Sequence, residues 1–125
     1  MAALKQNIIK EKSFAFAIRI IKMYNFLKEN KKEFILSKQL MRSGASIGAI
    51  VREAINAERA KDFIHKLSVA QKECNETCYW LELLKEANYI SEKEFISIYN
   101  DAIELLKIIR SIIIKSKQKL KTNNS

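Results

Sequence analysis

The chain has 125 residues, no proline and only two glycines, with 48% hydrophobic residues and a formal charge of +9 at pH 7. Its length sets one domain, 1–125, able to bury about two-thirds of its unfolded surface in a single core. Sandwiches and barrels need turn residues with positive or fixed φ, which this composition lacks, and Gly44 and Gly48 share one helical pattern, which leaves no glycine-rich phosphate loop.

Helix 1 is predicted over 13–29, where two apolar series interleave at helical spacing: Phe14, Ala17, Ile21, Tyr24 and Phe16, Ile20, Met23, Leu27. That face is too wide for one partner. The polar run Asn30 to Glu33 ends it, and Ser37 is a candidate N-cap for helix 2, predicted over 38–55. The helix 2 seam is Leu36, Leu40, Gly44, Ile47, Val51 and Ala54. Each glycine costs a helix about 1 kcal/mol relative to alanine, so close approach of another backbone is the expected compensation. Helix 3, over 61–87, carries the most regular seam, Phe63, Leu67, Ala70, Cys74, Thr77, Leu81 and Leu84, stepping by four and three through three heptads. Asn88 is a candidate left-handed C-cap, and Ser91 with Glu94 forms a capping box that opens helix 4, over 92–117. Helix 4 is apolar around more than half its circumference. Residues 118–125 read as a flexible basic tail. Short connections make the whole an all-α, antiparallel, up-down-up-down four-helix bundle. The excess apolar surface of helices 1 and 4 points to a homo-oligomer.

Charge is segmental. Residues 1–50 carry ten Lys/Arg against three acids, residues 51–104 seven against eleven, and residues 105–125 six against none. Lys5, Lys12 and Arg19 repeat at seven-residue spacing, with Lys22 beyond them; Lys38 and Arg42 lie opposite the helix 2 seam, and Lys107, Arg110 and Lys117 extend down helix 4. Point charges of this kind neutralise phosphates without reading sequence, so Lys12, Arg19, Lys22, Lys38, Arg42, Lys107, Arg110 and Lys117 are the candidate nucleic-acid contacts, to RNA or DNA. The aromatics of helix 1 are expected on its buried seams, which speaks against base stacking. A membrane surface is the weaker rival, because helix 1 spends its apolar face on the core. An acidic protein is the other alternative. Around the helix 2–helix 3 turn, Arg52, Glu53, Asp62 and Lys66 are expected to form an interhelical ion-pair network.

No catalytic constellation emerges, and no enzyme activity or cofactor is expected. His65 is the lone histidine, so no metal site is expected, and Cys74 and Cys78, one helical turn apart, are expected to line the core unbridged. The first residues lack the features of a signal peptide and no apolar run spans a bilayer, so a cytoplasmic location is expected.

The segments LSKQLMRSGASIGAIVREA (36–54) and DFIHKLSVAQKECNETCYWLELL (62–84) resemble the bacterial four-helix bundle proteins related to those encoded by intervening sequences in 23S rRNA genes, over about residues 13–115. The resemblance rests on Ser37 to Leu40, Arg42 to Gly44, Ser46 to Ala49, Arg52 to Ala54, Asp62 and Phe63 with Lys66 and Leu67, Lys72 and Glu73, and Glu76 with Thr77 and Tyr79 to Leu81. Ile50 stands where the family usually has asparagine. The resemblance implies a left-turning bundle assembled as a homopentameric ring around a central channel. It also implies kinship with the accessory variability determinant of diversity-generating retroelements, a basic pentamer that binds a reverse transcriptase and nucleic acid.

Overall fold

Apolar residues recurring at steps of three and four generate four α-helices: α1 (Ala2–Lys31), α2 (Leu36–Ile55), α3 (Ala60–Glu86) and α4 (Glu92–Asn123). The structure, a computed structural model, describes residues 2–123, among which there is no strand. Consecutive helices pack against one another and α4 closes onto α1, while the backbones of the diagonal pairs do not approach closely among the described residues. This is a four-helix bundle.

α1 begins eleven residues earlier than its sequence pattern indicates, and α4 continues through 118–123, so that part of the expected tail is helix; residues 124 and 125 lie outside the described residues. Ser13, read as the start of helix 1, is instead buried mid-helix, its hydroxyl donating to the Lys10 carbonyl at 3.1 Å. One turn earlier Ile9 is already in the core, and at the far end of α4 Leu120 still packs against it.

The core of α1 is Ile9, Phe16, Ile20 and Leu27, with Met23 packed beside them; of the two interleaved series, Phe14 and Ile21 face outward. The α2 seam lies as its spacing indicates. Gly48 sits against the backbone of Ser13, where an added Cβ would lie 3.4 Å from the carbonyl oxygen, and Gly44 sits against Ile20, where it would lie 2.7 Å from Cγ1. Gly44 therefore serves the close α1–α2 approach, while a Cβ at Gly48 would make only an ordinary contact. On α3, Leu67, Ala70, Cys74, Thr77, Leu81 and Leu84 are buried. The Cys74 thiol donates to the Ala102 carbonyl at 3.2 Å, and both cysteines are free and buried. Thr77 Oγ1 lies 2.9 Å from Ser43 Oγ, joining α2 to α3 through two buried hydroxyls. Ile50 packs half-buried against the core.

The helix ends are fixed by side chains. Ser91 and Glu94 cap α4 reciprocally, at 2.9 and 3.1 Å. Asn88, at φ 64°, closes α3 with the Tyr89 N–H bonded to the Leu84 carbonyl and its own N–H to that of Lys85. The start of α2 departs from the sequence reading. Glu33, not Ser37, is the cap: its carboxylate accepts from the backbone N–H groups of Ile35, Leu36 and Ser37, and the Ser37 hydroxyl donates to the Glu33 carbonyl at 2.7 Å. Burial pushes the Glu33 carboxyl up, but the backbone donors outweigh it and hold it below the ordinary value.

Candidate nucleic-acid interface

α1 and α4 run antiparallel, and the seven-residue repeat of cations on α1 meets a seven-residue repeat of acceptors descending α4. Lys5 Nζ donates to Ser111 Oγ at 3.0 Å, Lys12 pairs with Glu104 at 3.1 Å, and Arg19 donates to Ser97 Oγ at 2.8 Å, to the Ser97 carbonyl at 3.1 Å and to Asp101 at 2.6 Å. The rungs are spaced alike because residues seven apart on each helix return to one face. The Lys5–Lys12–Arg19 stripe is thus a polar ladder joining α1 to α4, and its cations are turned toward a seam instead of standing free.

Beyond Arg19 the ladder stops and the seam opens. A groove of about 540 Å³ lies there, with Met23 and Phe26 of α1 and Ile98 of α4 on its apolar side. Arg19, Lys22 and Lys93 ring it. Lys22 and Lys93 join no ion pair among the described residues, whereas Arg19 is bonded to Ser97 and Asp101. Glu94, on the same rim, is engaged with the Ser91 N–H, which holds its carboxyl below the ordinary value.

At the opposite end of this seam Lys115 approaches Lys5 closely enough to hold its ammonium below the ordinary value. A second depression, on α4, is lined by Lys107, Arg110, Ile114 and Lys115. Lys117 is exposed farther along, and Lys38 is exposed on α2. Arg42 stands apart on the α2–α3 seam, clamped by Glu73 at 2.9 Å and by Glu76; Glu73 also accepts from Ser46, and Glu76 from the indole N–H of Trp80. The eight basic residues singled out in the sequence therefore divide among several surfaces. Lys93, missed in the sequence because it lies among the acids Glu92 and Glu94, is a functional candidate that only the fold brings to Lys22.

Two sequence expectations are corrected. The network of Arg52, Glu53, Asp62 and Lys66 reduces to one bridge, Lys66 to Glu53 at 2.8 Å. Arg52 lies instead over the ring of Phe14, 5.5 Å from its centroid, and Asp62, in the first turn of α3, joins no ion pair among the described residues. The aromatics of α1 are not all on buried seams either: Phe14 is 56% exposed and Phe26 borders the groove. α1 has room for only one buried stripe between α2 and α4, so the second apolar series must face outward.

Outward apolar residues include Phe14, Ile18 and Ile21 on α1, Ile96 and Ile114 on α4, and Phe34 and Ile35 on the α1–α2 connection. His65 is exposed. Among the described residues no group of three His, Cys, Asp or Glu side chains is placed to hold a metal, and no helix is long and apolar enough to cross a membrane.

These features define a basic antiparallel four-helix bundle with one polar, partly open seam. The chain belongs to the 23S rRNA-intervening sequence protein family, whose sequence profile matches residues 5–111. It is similar to the crystal structure of a protein of unknown function from the S23 ribosomal protein family of Bacteroides thetaiotaomicron, with a TM-score of 0.86 and 52% identity over 87% of this chain and 97% of that one. No curated protein matches it.

Proposed function

We propose that this protein is a non-catalytic accessory protein that binds nucleic acid, RNA or DNA, through backbone phosphates. The observation that carries the reading is the grouping of cations that join no ion pair among the described residues at the two ends of the α1–α4 seam and along α4: Lys22 with Lys93, Lys5 beside Lys115, and Lys107 with Arg110. Phosphates would supply counter-charge to these unpaired ammonium and guanidinium groups. Arg42 contributes little in this reading, because its guanidinium already faces two carboxylates.

Assembly with further copies of the chain, as a pentameric ring, belongs to the same proposal. The outward isoleucines and Phe14 on α1 and α4 support it, since bulky apolar side chains gain from burial between copies. Within such an assembly a reverse transcriptase bound to RNA is the kind of protein partner the family resemblance suggests.

Size exclusion with in-line light scattering, on protein purified without nuclease, tests both parts. A mass of about five chains and a 260/280 nm absorbance ratio that falls in high salt is expected. A single-chain mass overturns the ring. Affinity for oligonucleotides that does not change between about 50 and 200 mM salt overturns the electrostatic binding.

A further inference from the structure

The α1–α4 groove has more than charge. Phosphate neutralisation alone needs only exposed cations, but here Lys22 and Lys93, with Asp101-paired Arg19 and Glu94 on the same rim, border a concave strip whose apolar wall is built by Met23, Phe26 and Ile98. Its volume, about 540 Å³, falls in the range of small-ligand clefts, about 300–1,000 Å³. A purely anionic ligand would gain nothing from the apolar wall, and a purely apolar one would leave the cations unanswered. The ligand chemistry that uses both is an anion joined to a flat, weakly polar ring.

We propose that this groove holds an unstacked nucleotide of a single strand, its phosphates between Lys22 and Lys93 and its base against Phe26 and Met23. This rests on the nucleic-acid reading above and deepens it. A paired base in a duplex has no free face to offer, so the groove discriminates single strands from duplexes. Arg19 is a positioning residue in this arrangement: Ser97 and Asp101 fix its guanidinium at the rim, so it presents a charge whose ordering cost is already met within the fold. Lys31 lies 5.9 Å from the Phe26 ring centroid and adds positive charge at the same end. An acidic peptide is the rival occupant; it would use the lysines and leave the aromatic wall unused.

The test is fluorescence anisotropy at about 50 mM salt with a labelled single-stranded RNA and with a duplex of equal length, each against wild type, Phe26→Leu, the double variant Lys22→Gln/Lys93→Gln, and Lys107→Gln/Arg110→Gln as a comparison surface. Base stacking on an aromatic side chain contributes about 1–3 kcal/mol per base, which is roughly 5- to 150-fold. Phe26→Leu, which keeps part of the apolar contact, should therefore weaken single-strand binding by up to about 5-fold and leave duplex binding unchanged, and the double lysine variant should weaken single-strand binding more than the α4 variant does. Leucine preserves apolar bulk at Phe26, and the double lysine variant changes only exposed positions, so a folding defect in the first leaves the second informative. Single-strand binding that survives both variants undiminished, or duplex binding as tight as single-strand binding, overturns the groove while leaving the wider electrostatic reading intact. Displacement of the RNA by poly-glutamate of equal charge at equal concentration assigns the groove to acidic protein and also overturns the proposal. Absence of salt-sensitive binding to either nucleic acid overturns both.

Discussion

Gly44 gives the sharpest test of the packing described above. An alanine there places its Cβ 2.7 Å from Ile20 Cγ1, 2.9 Å from Cδ1 and 3.0 Å from Cγ2. Ile20 is fully buried, and a β-branched side chain in a helix has essentially one χ1 rotamer, so its two γ carbons cannot swing aside. Overpacking of this kind costs about 1–3 kcal/mol, against about 1 kcal/mol gained by replacing a helical glycine with alanine. The net expectation for Gly44→Ala is a loss of about 1 kcal/mol and up to about 2 kcal/mol. Gly48→Ala has the opposite sign: its Cβ meets Ser13 at 3.4 Å, an ordinary contact, so the propensity gain of up to about 1 kcal/mol survives. Urea unfolding at fixed protein concentration reads both, with unchanged m-values showing that the denatured state is not the cause. For a chain of this size each kcal/mol is roughly 3–5 °C in Tm. The clash also fixes the rescue. Ile20→Val keeps both γ carbons and should relieve only the Cδ1 part of the Gly44→Ala clash, whereas Ile20→Ala removes all three atoms, so the Gly44→Ala/Ile20→Ala pair should be less destabilised than the sum of the singles. A Gly44→Ala protein as stable as Gly48→Ala, or additive with Ile20→Ala, would refute the reasoning.

Other expectations concern caps and charges. Glu33→Gln should cost about 0.5–2 kcal/mol as the loss of the α2 cap. Because the folded carboxyl is held below its ordinary value, this contribution is complete above the ordinary glutamate value of about 4.3 and disappears as pH falls through the folded one; urea midpoints of the two proteins should converge in acid, and divergence there would contradict the cap. Ser91→Ala removes one arm of the α4 capping box and should lower stability by about 1 kcal/mol, read as a fall in Tm. Arg42→Gln should lower stability by about 1 kcal/mol, since Glu73 and Glu76 lose their shared partner, yet change oligonucleotide affinity less than about twofold; a loss matching one phosphate contact in the salt slope would show the guanidinium free to bind.

The α3 seam from Leu67 to Leu84, the Asn88 closure and the Ser91–Glu94 box could be read directly from the sequence, because each rests on short steps along one stretch of chain, although Ile64 is buried where the heptad pattern placed Phe63. The misread features depend on a second helix. Ser13 stands at the start of the apolar pattern read for helix 1, and only its position opposite Gly48 explains why a small residue stands there in mid-helix. Glu33 looked like part of a polar terminator, yet the path of the connection, with Lys32 at φ 53°, turns its carboxylate back onto the first N–H groups of α2. Arg52 had carboxylates within reach along the chain but met Phe14 across the α1–α2 seam. Periodicity likewise could not decide which of the two α1 series faces the core, since that depends on helix rotation about its axis. The candidate groove is of the same kind: Lys22 and Lys93 are 71 positions apart in sequence and become neighbours only because the heptad ladder sets the antiparallel register of α1 and α4.

That ladder also determines how salt experiments on this protein are to be read. Ionic strength that would release a nucleic acid also screens Lys12–Glu104 and Arg19–Asp101, so both lost binding and a loosened α1–α4 seam would follow added salt. The magnitudes separate them. Both pairs are about half exposed, where an ion pair contributes about 0–1 kcal/mol even at low salt, and Ile9, Phe16, Ile20 and Leu27 hold α1 to the core independently of charge. Weakening both rungs costs at most about 2 kcal/mol of stability, within the roughly 5–15 kcal/mol a folded domain commands. Binding that neutralises six or more phosphates would lose about a thousandfold or more between 50 and 200 mM salt. A steep fall in affinity with an unchanged helical signal by circular dichroism therefore reports counterion release from bound nucleic acid, and a parallel loss of helical signal would instead show that the ladder contributes far more to the bundle than its exposure allows.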